Sequence, residues 1–307
     1  MQTAYFTHPL CLKHHNGAHH PECAERVTAI EDQLIASGLL DYLQHHEAPA
    51  ATRAQLLRVH DGDYLDSIAA QAPEHGMVQL DGDTALNPYS LPAALHAAGA
   101  VVAAVDWVMA GRVENAFCNI RPPGHHAERA RAMGFCIFNN IAVGAAHALA
   151  QHGLQRVAIL DFDVHHGNGT EQIFANNSQV MLCSTFQHPF YPYCGADSGN
   201  DHIINVPLPA GTTGAAFRAA VTEHWLPALA RFQPEMLFIS AGFDAHRDDD
   251  MSMMGLVEAD YAWVTTELKK IAEQYAHGRI VSALEGGYEL HALGRSAMVH
   301  IKVLSGL

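Results

Sequence analysis

The chain has no C-x-x-C pair, few basic residues and no long unbroken apolar run, and each absence narrows what it does. Its six cysteines (Cys11, Cys23, Cys118, Cys136, Cys183 and Cys194) follow neither a thiolate-metal spacing nor a disulfide framework. That predicts reduced thiols in a cytoplasmic protein. Cys118, Cys136 and Cys183 lie in apolar stretches, where a buried, inert thiol is expected. Lys and Arg number 17 against 32 Asp and Glu, a formal net charge of −15 with neutral histidines. A field of that sign does not draw nucleic acid or an anionic membrane; it suits a cationic or lysine-bearing substrate. The longest apolar stretch, 91–110, contains His96 and Asp106, so it reads as a buried helix rather than a membrane span. Residues 1–10 have no basic segment leading into an apolar core, and no secretory leader is expected.

What is present is a large core. Of 307 residues, 49% are hydrophobic and 16% charged, which excludes a disordered chain. No repeat, low-complexity tract or linker divides it, so a single domain over 1–307 is expected. Twenty-three histidines stand out, several in tandem, and most are expected on exposed loops, with four or five exceptions. From residue 115 onward the pattern is regular. Strands are expected at 115–120, 157–161, 180–185, 203–208, 236–240 and 280–284. Helices are expected at 141–151, from 213 to about 232 and from about 257 to 276, with a last one closing the chain. Earlier come helices at 21–36 and 91–110, the latter capped by Ser90, and a Gly/Asp/Pro-rich surface loop at 72–88. Such alternation predicts an α/β fold with a mostly parallel sheet covered by helices on both faces. Sites in such folds lie beyond the carboxyl ends of the strands.

Four motifs fall at four such ends. After the strand at 157–161 come Asp161, Asp163 and His165, spaced two apart, then Gly167, Asn168, Gly169 and Thr170. In an extended chain that spacing aims carboxylate and imidazole at one point, and Asn168 or Thr170 caps the helix that follows. Asp244 follows the strand at 236–240, after Ala-Gly-Phe. Three protein ligands and an open position make a catalytic zinc site, although Asp244 alone would serve equally as a helix cap or a partner for Arg247. His125 and His126 follow Arg-Pro-Pro-Gly, a stiff loop suited to placing a general base, with Asp161 and Asn168 as orienting partners. Tyr288 follows Glu-Gly-Gly, and its phenol would donate to an oxyanion. Phe135 and Tyr191 would wall a narrow channel.

Together, Arg-Pro-Pro-Gly-His-His-Ala (121–127), Gly-Phe-Cys-Ile-Phe-Asn-Asn (134–140), Asp-Phe-Asp-Val-His-His-Gly-Asn-Gly-Thr (161–170), Ser-Ala-Gly-Phe-Asp-Ala-His (240–246) and Leu-Glu-Gly-Gly-Tyr (284–288) resemble the zinc-dependent histone deacetylase family. That family includes bacterial deacetylase-like amidohydrolases and acetylpolyamine amidohydrolases. Asn168 resembles its class II branch. The resemblance implies a three-layer arginase/deacetylase-type fold and hydrolysis of N-acyl-lysine, or of an acylated polyamine or other small amine. It implies zinc on Asp163, His165 and Asp244, catalysis by His125, His126 and Tyr288 with Asp161 and Asn168 behind the histidines, and a substrate channel past Gly134, Phe135, Tyr191, Met251 and Gly287. It further implies a structural potassium at Asp161, Asp163, His165 and Ser184, and a second monovalent cation at Phe174, Asn177 and Val180. Tyr191 departs from the usual phenylalanine. A non-catalytic relative would lack a ligand, a histidine or the tyrosine, and none is missing. A two-manganese hydrolase would need a second ligand set, and none is found. Monomer and homo-oligomer both remain open.

Overall fold

The structure, a computed structural model, describes residues 2–307. The chain opens with β1 (Thr3–Thr7), α1 (Glu25–Ala36), β2 (Gln44–Glu47), α2 (Arg53–Leu56) and α3 (Gly62–Gln71). The segment expected to be a loop at 72–88 contains a small antiparallel pair, β3 (Val78–Gln79) and β4 (Ala85–Leu86). Then come α4 (Ser90–Met109), β5 (Asn115–Cys118), α5 (Asn140–His152), β6 (Val157–Asp161), α6 (Asn168–Phe174), β7 (Val180–Gln187) and β8 (Ile203–Leu208). Helix α7 (Gly214–Ala220) runs through a π turn at Val221–Trp225 into α8 (Leu226–Phe232). The chain closes with β9 (Met236–Ala241), α9 (Glu258–Tyr275), β10 (Ile280–Leu284) and α10 (Leu290–Ser305).

Eight strands form one sheet in the order β2-β1-β5-β10-β9-β6-β7-β8, every neighbouring pair parallel. The late strand β10 sits between β5 and β9. Alternate strand residues feed two cores, as the period of two requires. Val157, Ile159, Met236 and Phe238 join Val101, Val105 and Ile141 of α4 and α5 on one face. On the other face Ala158, Leu160, Leu237 and Ile239 join Ile30 of α1, Leu268 of α9 and Ile301 of α10. Burial on both faces explains the unbroken apolar runs of the central strands. Helix α4 is long and apolar enough to cross a membrane by composition, yet Ala97, Ala98, Val101 and Val105 are wholly buried against the sheet.

Several local expectations are corrected. Helix α1 begins at Glu25, four residues after Pro21. Ser90 lies inside α4, with Tyr89 at the cap, and its Oγ serves Asn87 and His14 instead. Gly167 occupies the cap of α6, so neither Asn168 nor Thr170 caps it. Both side chains are used elsewhere, on His126 and Asn139. The histidines also differ from expectation: nine are buried (His14, His60, His125, His126, His147, His165, His166, His246 and His300). Imidazole offers one donor and one acceptor when neutral, which lets it bridge interior polar groups that a charged side chain could not.

Candidate active site

The loops after β5, β6, β9 and β10 meet beyond the strand ends. Ligand atoms of Asp163, His165 and Asp244 lie within 4.8 Å of one another. His165 Nδ1 is 3.0 Å from Asp163 Oδ1 and 3.1 Å from Asp244 Oδ2. Strand alternation does not produce this meeting, because β6 ends at Asp161. Hydrogen bonds shape the turn instead. The Asp163 N–H donates to Asp161 Oδ1 (3.1 Å), the His165 N–H to Asp163 Oδ1 (2.8 Å) and the Val164 N–H to Asp244 Oδ1 (3.0 Å). Two glycines make room: a Cβ on Gly242 would fall 2.0 Å from Asp163 Oδ2, and one on Gly286 2.0 Å from Asp244 Oδ2. Arg247 does not pair with Asp244; it points out towards Asp248.

Charge at this point is unusual. Burial opposes a positive His165, yet its bonds to Asp163 and Asp244 lift the pKa to about 10. Burial and the neighbouring Asp163 push Asp244 up to about 6. Two carboxylates closing on one imidazole nitrogen need a cation between them. A divalent ion held by all three would supply that charge, in place of any proton on His165. The two oxygens and one nitrogen therefore fit a zinc-type ion with an open position.

The tandem histidines sit beside this cluster, ring centroids 4.0 Å apart. His125 Nδ1 donates to Asp161 Oδ2 at 2.9 Å. Burial disfavours its charge, but Asp161 and Asp163 outweigh that and raise its pKa well above the usual value. His126 Nδ1 lies 2.8 Å from Asn168 Oδ1, an acceptor, so Nδ1 carries the proton and Nε2 is left as a free base. Burial, then the positive rings of His125 and His165, hold its pKa well below 6.5. Adjacent in sequence, the two rings are thus driven to opposite charge states. Their loop is pinned from beneath by the buried Glu285, whose Oε2 accepts from the N–H groups of Gly124 (2.7 Å) and His125 (3.1 Å). Arg121 does not enter the site; it is buried on Glu22 and on the carbonyls of Cys11 (2.6 Å) and His14 (3.1 Å).

A cavity of about 330 Å³ leads to His126, His165 and Tyr288. Gly134, Phe135, Tyr191 and Met251 all border it. Gly287 does not; its carbonyl accepts from Arg26 Nε at 2.6 Å. Burial pushes the Tyr288 phenol well above its usual pKa, against the pull of Arg26, whose guanidinium lies 4.9 Å from the ring centre. The phenol is therefore a donor. Phe190 stacks on His165 at 5.4 Å, and Asp83, Tyr193 and Asp250 complete the mouth. Asp83, Tyr193 and Asp250 carried no sequence signal beyond exposed loop positions.

Of the expected potassium ligands, Asp161 and Ser184 are register partners on β6 and β7. The buried Ser184 Oγ has no hydrogen-bond partner among the described residues. Phe174, Asn177 and Val180 form the turn from α6 to β7, with N–H donation from Asn177 to the Phe174 carbonyl (2.9 Å) and from Val180 to the Asn177 carbonyl (3.0 Å).

Comparison with known proteins decides the kinship. The family model described as histone deacetylase domain matches residues 20–304. The chain belongs to the histone deacetylase family. Among its relatives is the histone deacetylase-like amidohydrolase of Pseudomonas aeruginosa, 38% identical over 330 residues that cover 100% of this chain and 87% of that one. A probable deacetylase of Archaeoglobus fulgidus is 35% identical, covering 94% of this chain and 82% of its own. The crystal structure of an HDA15 HD domain superposes with a TM-score of 0.94 at 35% identity, over 99% of this chain and 90% of that one. The arginase-type α/β architecture of the deacetylases is thus the fold of this family member.

Proposed function

We propose that the chain is a zinc-dependent amidohydrolase that removes acetyl or another short acyl group from the Nε amine of lysine side chains. The observation that carries this is the meeting of Asp163, His165 and Asp244 beside a neutral His126 at the end of a narrow cavity. When bound by those three ligands, zinc supplies polarisation of the amide carbonyl and a lowered pKa for water. His126 has its Nδ1 proton committed to Asn168, and its Nε2 takes the proton from the attacking water. His125, kept cationic by Asp161, stabilises the negative charge that develops. Tyr288 donates its phenolic proton's hydrogen bond to the oxyanion. The proton gained by the histidine pair passes to the leaving nitrogen, giving a carboxylic acid and a free amine. Phe135 and Tyr191 flank the aliphatic stem of the lysine and exclude water along it. Potassium at Asp161 and Ser184, with the main chain of Asp163 and His165, would hold the ligand loop; the orphaned Ser184 Oγ supports this site. A second monovalent cation would sit on the carbonyls of Phe174, Asn177 and Val180.

Asp83 and Asp250 at the mouth also suit an acylated polyamine. Rates on an acetyl-lysine peptide and on acetylated putrescine separate the two readings: faster turnover of the diamine would overturn the lysine assignment. For the metal, chelation is expected to abolish turnover and one equivalent of zinc to restore it. Undiminished amidase activity after complete removal of divalent ions would refute the mechanism.

A further inference from the structure

A second cluster of metal-binding side chains lies far from the chemistry. Asp106 in the last turn of α4, and His147 and His152 on α5, bring one ligand atom each within 4.8 Å of the others. Asp106 Oδ1 accepts from His147 Nε2 at 2.8 Å and from His152 Nε2 at 2.7 Å. Asp106 is about half exposed and His152 about a quarter (47% and 23% of their side chains), so an ion and its waters have access, while His147 is buried. His152 is the last residue of α5. The carboxyl ends of both helices therefore point their negative poles at the cluster, which favours a cation. Both helices run back against the parallel sheet, and short links carry them into the starts of β5 and β6. The cluster thus sits at the amino edge of the sheet, opposite the catalytic edge.

We propose that Asp106, His147 and His152 form a second divalent-metal site, for which the half-buried Arg58 is the gate. Two imidazole nitrogens and a carboxylate oxygen suit a borderline ion such as zinc, with water filling the remaining positions. A ligating His147 Nε2 must be unprotonated. At present Arg58 Nη1 donates to His147 Nδ1 at 2.6 Å, which fixes the proton on Nε2. Metal entry moves that proton to Nδ1, so the guanidinium must swing away into solvent. The same hydrogen bonds explain how the cluster holds together without metal: Arg58, His147, Asp106 and His152 form one continuous chain of donors and acceptors.

The test uses the tag-free full chain with its catalytic ion in place, dialysed against low free zinc and assayed for metal content. Wild type is expected to hold one zinc more per chain than His152→Ala or Asp106→Asn, with amidase rates the same in all three. Arg58→Ala is expected to bind the extra zinc roughly tenfold more tightly, the scale on which groups hydrogen-bonded to a ligand tune affinity. Because the variants keep every other histidine, the difference counts this site alone. Equal zinc content in wild type and His152→Ala overturns the site. Unchanged affinity in Arg58→Ala overturns the gate. Asp163→Asn, which removes the catalytic ion, is expected to leave the extra zinc in place.

Discussion

At the scale of the residue, the site's chemistry is set by what stands behind each imidazole. His125 and His126 are neighbours with the same side chain, yet Asp161 makes one a cation and Asn168 leaves the other a base. Replacing Asn168 by Ala removes the acceptor that fixes the His126 tautomer. The expected loss is roughly 10–100-fold in kcat, with little change in KM. Tyr288→Phe, which removes only the phenolic hydroxyl and with it the proposed donor to the oxyanion, is expected to lower kcat by roughly 10²–10³-fold, again at nearly constant KM. Steady-state kinetics on an acetyl-lysine peptide checks both, and a main effect on KM in either variant would reassign that residue to substrate binding. Asp249 shows where residue-level reading of the sequence stops. It lies in the run Asp248-Asp249-Asp250, and nothing in the sequence distinguishes the three. In the folded chain Asp248 faces Arg295, Asp250 borders the cavity, and Asp249 is buried, accepting from the N–H groups of Tyr288 (2.6 Å), Glu289 (3.1 Å) and Met251 (3.0 Å). That carboxylate fixes both the tyrosine loop and the rim residue Met251.

At the scale of the element, the central strands were readable because both of their faces are apolar, and the motif residues follow them in order. Strand β2 was not readable. Its sequence, Gln-His-His-Glu, is polar on both faces, and only its pairing with β1 at the sheet edge makes it a strand. The spacing of Asp161, Asp163 and His165 predicts extended chain through 165, but the strand ends at Asp161, and the carboxylates' hydrogen bonds to backbone N–H groups shape the turn that follows. His60, between α2 and α3, carried no signal either, yet it ties the α2–α3 connection to the loop at Glu128 and to the start of α5. Its Nδ1 donates to the Glu128 carbonyl at 3.0 Å, and its Nε2 accepts from the Asn139 N–H at 3.0 Å. Burial lowers its pKa to about 4, because the fold holds the neutral ring. A group depressed in the folded state contributes its stability above its unfolded pKa of about 6.5 and loses it as pH falls towards about 4. Urea unfolding across that window is therefore expected to fall less steeply with acid in His60→Gln than in wild type. Parallel pH profiles for the two would remove His60 from the account.

At the scale of the molecule, the net charge of −15 and the acidic mouth residues Asp83 and Asp250 would act together on a cationic substrate of the kind proposed. Raising salt from roughly 0.01 M to 1 M shortens the screening length from about 30 Å to about 3 Å. KM for a lysine-flanked acetyl-lysine peptide is expected to rise over that range, while kcat and the KM of an uncharged acylated amine stay constant. A KM for the cationic peptide that does not move with salt would deny the field any part in recognition.

The position of β10 carries a consequence for how the enzyme comes into being. Ile280 pairs with Asn115 on one side and with Leu237 on the other, so the last of the sheet's eight strands in chain order is the one that joins two half-sheets. Until it arrives, β5 and β9 each present a bare row of amide groups, and such edges are templates for pairing with other chains. The same late segment brings Glu285, Gly286 and Tyr288, without which the histidine loop is unpinned and the cavity loses its phenol. Birth of activity and closure of the aggregation-prone seam are thus a single event, and a nascent chain stopped before residue 280 would emerge both inert and adhesive.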